Sequence, residues 1–284
     1  MFYGQLIMNN YCDVPTISFC AIGDTFDKAP LQVTDFCEGN KLDRNLKMLY
    51  LEAGGAGELS GHESYELAAY FYARHCVLEK AQLPYFFITG DEDFYSLIHS
   101  KTIYEIIGIK SKEEKLDSFS IWKELLKKFN VFHLHKPYNN ELENDELTEW
   151  VKALGRNRII EMRTPKSVID VVLGIIALTS GKRTLKTYLR DMEERGQTQD
   201  RIEEIKYALR NLTQNFLTNK VIKVGHSGTD IQLDEEKESL KIIFKIHYET
   251  QWNENLCVIG SIPALGSWKL ENSIKLSYQK VKTK

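Results

Sequence analysis

Tyr85-Phe86-Phe87-Ile88-Thr89 is a short run of aromatic and β-branched residues that stops abruptly at Gly90-Asp91, and its reading decides the fold class. Such side chains fit a pleated surface, and a run without polar alternation is the signature of a strand buried on both faces, as in a parallel sheet. Thr16-Ile17-Ser18-Phe19-Cys20-Ala21-Ile22 follows the same plan and stops at Gly23-Asp24. Asn130-Val131-Phe132-His133-Leu134-His135 is a third run, closed by Pro137. Between them the periodicity is helical over Leu42–Leu51, Glu63–Ala81, His99–Ile107 and Ser118–Phe129. Residues 1–137 therefore predict an α/β domain with a doubly wound, mainly parallel sheet.

Outward from this block the pattern changes twice. From about Leu142 to Leu217 apolar residues recur three and four apart, which predicts a helical extension over 138–218. Thr164-Pro165 starts one of its helices and Ser180-Gly181 ends it; Leu185–Glu194 and Asp200–Leu212 are two more. Gly225-His226-Ser227-Gly228-Thr229-Asp230 and Asp234-Glu235-Glu236 carry no periodicity, which predicts a linker over 219–238. Beyond it the period becomes two: Leu240–Tyr248 and Asn255–Ile259 read as strands, the opening of a β-rich segment over 239–284. So few strands make only a partial β-sandwich, and Met1–Asn10 reads as the last turns of a helix entering a strand, so both ends are expected to be cut from a longer reading frame.

The 284 residues carry 37 Lys and Arg against 40 Asp and Glu, a net charge of −3. That balance offers no basic surface for nucleic acid or for an anionic membrane. The longest apolar run, roughly Val168–Leu178, is shorter than the ~20 residues a bilayer span needs, and the N-terminus lacks the layout of a signal peptide. Five scattered cysteines, Cys12, Cys20, Cys37, Cys76 and Cys257, form no C-x-x-C pair. A reducing, cytoplasmic setting is expected.

The tail carries the most specific signal. Ile243-Phe244-Lys245-Ile246-His247-Tyr248 leads into Gln251-Trp252-Asn253-Glu254-Asn255, then Val258-Ile259-Gly260-Ser261-Ile262-Pro263-Ala264-Leu265-Gly266-Ser267-Trp268, with a further strand at Lys275-Leu276. This spacing resembles the first half of a family-20 carbohydrate-binding module, a starch-binding domain with an immunoglobulin-like fold. The resemblance implies that Trp268 belongs to a first glucan site and Trp252 to a second. Flat aromatic rings suit the C–H face of a sugar while polar groups satisfy its hydroxyls. The family's later site residues would lie beyond Lys284, so weak or absent glucan binding is expected of these 284 residues.

The α/β half has a likeness of its own. Ala21-Ile22-Gly23-Asp24, Ala29-Pro30-Leu31-Gln32-Val33, Gly54-Gly55-Ala56-Gly57, Glu63-Ser64-Tyr65-Glu66-Leu67-Ala68 and Phe87-Ile88-Thr89-Gly90-Asp91-Glu92 together resemble a divergent von Willebrand factor A-type domain. The D-x-S-x-S motif of that family is absent from residues 1–137. The resemblance implies Mg²⁺ at the carboxyl ends of the strands, with Asp91 in the third metal motif and Ser64 near the second. Without a metal, Gly23-Asp24 and Gly90-Asp91 would simply turn the chain after a strand.

Other signals reduce to structure. His133 and His135 share a strand face without an evident third ligand, Gly54-Gly55-Ala56-Gly57 lacks the G-K-[ST] ending of a P-loop, and His75-Cys76 point about 100° apart on a helix. The expectation is a non-catalytic protein that binds starch or a glycogen-like glucan through its tail and a protein partner through its α/β domain. The alternatives are a cation-dependent interaction module with vestigial sugar binding, or an accessory part of a glucan-metabolising enzyme.

Overall fold

A computed structural model describes residues 2–52, 62–137, 147–212, 257–258 and 270–276. The chain divides into two compact units, Met1–Gly228 and Thr229–Lys284. The elements of the first, in chain order, are α1 (Phe2–Met8), β1 (Cys20–Ile22), β2 (Leu31–Val33), α2 (Lys41–Met48), β3 (His62–Glu63), α3 (Tyr65–Arg74), β4 (Tyr85–Gly90), β5 (Asp93–Phe94), β6 (Leu97–His99), α4 (Ser100–Ile107), β7 (Lys115–Asp117), α5 (Ser118–Lys128), β8 (Asn130–His135), α6 (Thr148–Leu154), β9 (Ile159–Glu161), α7 (Val168–Thr179), α8 (Leu185–Glu194) and α9 (Gln199–Ala208). The second contributes β10 (Cys257–Val258) and β11 (Ile274–Lys275).

The centre of the first unit is a parallel sheet in the order β4-β8-β9. Tyr85 pairs with Asn130 and Gly90 with His135, and the register continues from His133 to Ile159 and from His135 to Glu161. Every residue of β8 is buried, as a central strand covered on both faces must be. The period of two sorts the side chains: Phe86, Ile88, Val131 and Ile159 enter one core with Leu67, Trp122 and Trp150, while Phe132, Leu134 and Ile160 enter another with Leu6, Val171, Ile175, Tyr188 and Ile205. One face is thus covered by α3, α5 and α6, and the other by α1, α7, α8 and α9. This mixed architecture is compatible with the α/β class.

Local chemistry sets the boundaries. The Asp117 carboxylate accepts from the Ser120 N–H at 2.9 Å and starts α5, and a Thr184–Thr187 capping box starts α8. From Asp170 to Thr179 α7 is wholly buried, and it ends ahead of Gly181 at φ +73°. A Cβ on Gly174 would lie 2.4 Å from Leu209 and 2.8 Å from Tyr188, so this glycine lets α7 approach its helical neighbours.

Three expectations are corrected. The run Thr16–Ile22 does not join the parallel sheet: β1 is three half-buried residues paired antiparallel with β2. Just before it the Ser18 hydroxyl donates to the Thr34 carbonyl at 2.6 Å and the Phe19 N–H donates to the Thr34 hydroxyl at 2.8 Å, so side chains take up ladder positions. The helix expected to reach Ala81 ends at Arg74, where the Lys128 ammonium donates to the carbonyls of Tyr72 and Ala73 at 2.9 and 3.1 Å and satisfies its last turn. The region expected to be helical throughout contains β9, whose three residues are too few to give a period-two signal. The Gly54–Gly57 loop, the 219–238 stretch, the Leu240–Tyr248 run and most of the expected β-sandwich lie outside the described residues.

Candidate functional site

The carboxyl ends of β3 and β4 bring Ser64 and Asp91 to one end of the first unit. Strand β3 pairs parallel with β5, so His62 lies beside Asp93 and Glu63 beside Phe94, immediately after the Gly90-Asp91-Glu92 turn. The Ser64 N–H donates to the Gly23 carbonyl at 3.3 Å, which ties the first Gly-Asp turn to the same place. Acidic residues therefore accumulate there: Glu63 feels Glu92, Asp27, Asp24 and Asp91.

Each carboxylate has its own environment. Asp24 is only 2% exposed, and its two oxygens accept from the Thr25 hydroxyl at 3.0 Å and the Tyr95 hydroxyl at 2.9 Å. Its N–H donates to Asp27 at 2.9 Å, while the Asp27 N–H returns to the Asp24 carbonyl at 3.0 Å, a closed turn. Glu63 is pushed up to about 7, by burial first and then by its acidic neighbours. Glu66, also 2% exposed, is pushed up to about 8 by burial, although the Tyr95 N–H donates to it at 3.1 Å. Burial likewise raises Glu92 and Asp93.

Ser64 is fully buried at the start of α3, and its hydroxyl has no partner among the described residues. Asp91 is half-buried. Among the described residues no three His, Cys, Asp or Glu side chains converge as a metal cage, and this end is a cluster of carboxyl groups. The feature that sequence reasoning missed is Glu66; its one signal was a carboxylate set in the apolar run Tyr65-Glu66-Leu67-Ala68-Ala69.

The histidines serve packing. His133 is fully buried, stacks on the Trp150 indole at 4.0 Å, and meets His135 edge-on at 5.7 Å. Trp150 is held in turn by donation from its indole N–H to the Glu92 carbonyl at 3.0 Å. Burial, with a smaller contribution from His135, lowers His133 to about 3, against the opposing influence of the Gly90 carbonyl. His75 is exposed at the end of α3 beside Tyr70 and Phe71.

In the second unit β10 and β11 pair antiparallel, Cys257 with Lys275 and Val258 with Ile274. They flank, in sequence, the Gly260–Trp268 motif. Residues 239–284 match the starch binding domain family, carbohydrate-binding module family 20. This chain is also 37% identical over 49 residues to a 4-alpha-glucanotransferase, DPE2, of Oryza sativa subsp. japonica; that alignment covers 17% of this chain and 5% of the rice protein. No solved structure matches the chain. The segment therefore supports carbohydrate binding, while Trp252 and Trp268 lie outside the described residues. No helix among the described residues is long and apolar enough to cross a membrane.

Proposed function

We propose that the protein is a non-catalytic, cytoplasmic glucan-binding protein. Its starch-binding segment docks on starch or a glycogen-like glucan through the indoles of Trp268 and Trp252, while the α/β unit, a divergent von Willebrand A-like domain, recruits a protein partner. The observation that carries this reading is the family match over residues 239–284. Two indoles within a motif of this kind suit stacking against glucose rings. Co-sedimentation with insoluble starch tests it: the weak pelleting expected of the 284-residue chain is lost in Trp268→Ala, with the fold of the first unit intact. Equal pelleting of both proteins rejects the assignment of Trp268.

The carboxylates around Glu63 favour a second reading, in which a divalent cation bound through Asp91 and Ser64 governs partner binding. Cation-dependent capture of a partner that survives deletion of residues 239–284 supports it. A role as an accessory to a glucan-metabolising enzyme is favoured by the name of the rice relative. Release of maltooligosaccharides from starch by the purified chain would argue for that reading and against a purely binding role.

A further inference from the structure

The first unit holds an open cleft of about 310 Å³ that belongs to neither the starch-binding segment nor the Ser64 and Asp91 positions. Thr25 and Phe26 of the first Gly-Asp turn form one wall, and Glu66, Tyr95, Ser96 and His99 contribute to the rest. Its chemistry is selective. The lining mixes the apolar side chains of Leu97 and Ile98 with hydroxyls, a carboxyl group and an imidazole, and holds no Lys or Arg that would draw an anion. The Asp24 charge behind it is taken up by the Thr25 and Tyr95 hydroxyls. Tyr95 is further held by a stacked contact with His62 at 5.2 Å.

Two features call for a ligand with both a polar rim and an apolar face. Phe26 is 63% exposed at the edge of the cleft, which leaves a flat ring in water. Glu66 is buried in the cleft wall, where one carboxyl oxygen already accepts from the Tyr95 N–H at 3.1 Å and the other can accept from a ligand hydroxyl. A pyranose offers the complement: axial C–H bonds for the ring and vicinal hydroxyls for the rim.

Resting on the glucan-binding reading above, we infer that this cleft is a second saccharide subsite, which takes a neutral hexose segment with Phe26 against its C–H face and the Glu66 carboxyl and the Thr25 and Ser96 hydroxyls on its rim. The volume is near the lower end of small-ligand sites and holds about one or two sugar rings rather than a long chain.

Maltotriose titrated into the full chain, followed by ligand-observed NMR and calorimetry, tests the inference. In the Trp252→Ala/Trp268→Ala variant, saturation transfer to maltotriose persists, and adding Phe26→Ala weakens it about tenfold or more. Phe26 is a surface residue, so the variant folds, and its melting curve confirms this. Loss of all transfer in the double tryptophan variant, with the parent still binding, overturns the subsite and leaves the starch-binding reading standing. Residual binding unaffected by Phe26→Ala also overturns it. Absence of both maltotriose and starch binding in the parent chain rejects the two readings together.

Discussion

The hydroxyl oxygen of Tyr65 lies 1.9 Å from where a Cβ on Gly90 would sit, and the Tyr65 ring edge meets Trp150 with centroids 5.4 Å apart. The first residue of α3 and the last residue of β4 therefore interlock, and the glycine is required for space rather than for its backbone angles. Tyr65 also carries burial that raises its hydroxyl pKa, so the phenol stays neutral where it packs. Gly90→Ala is expected to destabilise the protein by about 2 kcal/mol or more, because the ring must leave a filled site. Tyr65→Phe in the same chain recovers part of the loss, since the closest atom is gone. Thermal or denaturant melting of the four proteins of this double-mutant cycle checks it; additive effects would show that the two residues are not coupled.

Glu66 predicts a pH dependence with a definite sign. Its folded pKa of about 8 lies above the ordinary glutamate value, so the folded state holds a proton that the unfolded chain has released. Stability from this group is full below about 4.5 and declines as pH rises through about 8. The decline is on the order of a few kcal/mol, because the charged carboxylate is forced into a buried site. Glu66→Gln removes it, and its melting temperature between pH 5 and pH 9 falls less than that of the parent. Parallel curves for the two proteins would remove Glu66 as the cause.

His133 acts at the opposite limb. Its folded pKa of about 3 is depressed below the usual imidazole value by burial against Trp150. Stability is therefore present above about 6.5 and is lost as pH falls towards about 3, as the unfolded chain gains a proton that the native core excludes. The His133 ring resonances should stay fixed between pH 5 and pH 8. Movement of the His133 signals in that interval would mean that water reaches the core.

These interior features were legible to different degrees. The Asn130–His135 run and the Leu185–Glu194 helix stand in the structure with the boundaries read from sequence, because each is bounded by strong local chemistry: Pro137 after the strand, the Thr184 cap before the helix. The run Thr16–Ile22 was deceptive, since a continuous apolar stretch says nothing of its pairing partner, and only tertiary contacts placed β1 against β2. Strand β9 was invisible because its three residues are fixed by register with His133 to His135 rather than by their own periodicity. At the candidate site, Asp91 could be placed after a strand from the Gly-Asp pattern, and Ser64 only through the family resemblance. The convergence of Asp24, Glu63 and Glu66 could not, because it depends on β3 pairing with β5 and on a contact between Ser64 and Gly23.

Trp268 gives the sharpest functional prediction. An indole stacked on a glucose ring contributes most of what a shallow sugar site can offer, since rim hydroxyls exchange water for protein with little net gain. Trp268→Ala is therefore expected to lower starch affinity about tenfold or more, Trp268→Phe to lower it less, and Trp252→Ala to act through a separate site. Adsorption isotherms on granular starch measure all three, with a melting curve for each variant to establish that the first unit is unchanged. If the two tryptophans form separate sites, Trp252→Ala and Trp268→Ala differ in effect between granules and short maltooligosaccharides, because only a long chain can bridge both. Identical losses on both ligands would place the two indoles in a single site. An unchanged isotherm for Trp268→Ala would remove that residue from the binding surface altogether.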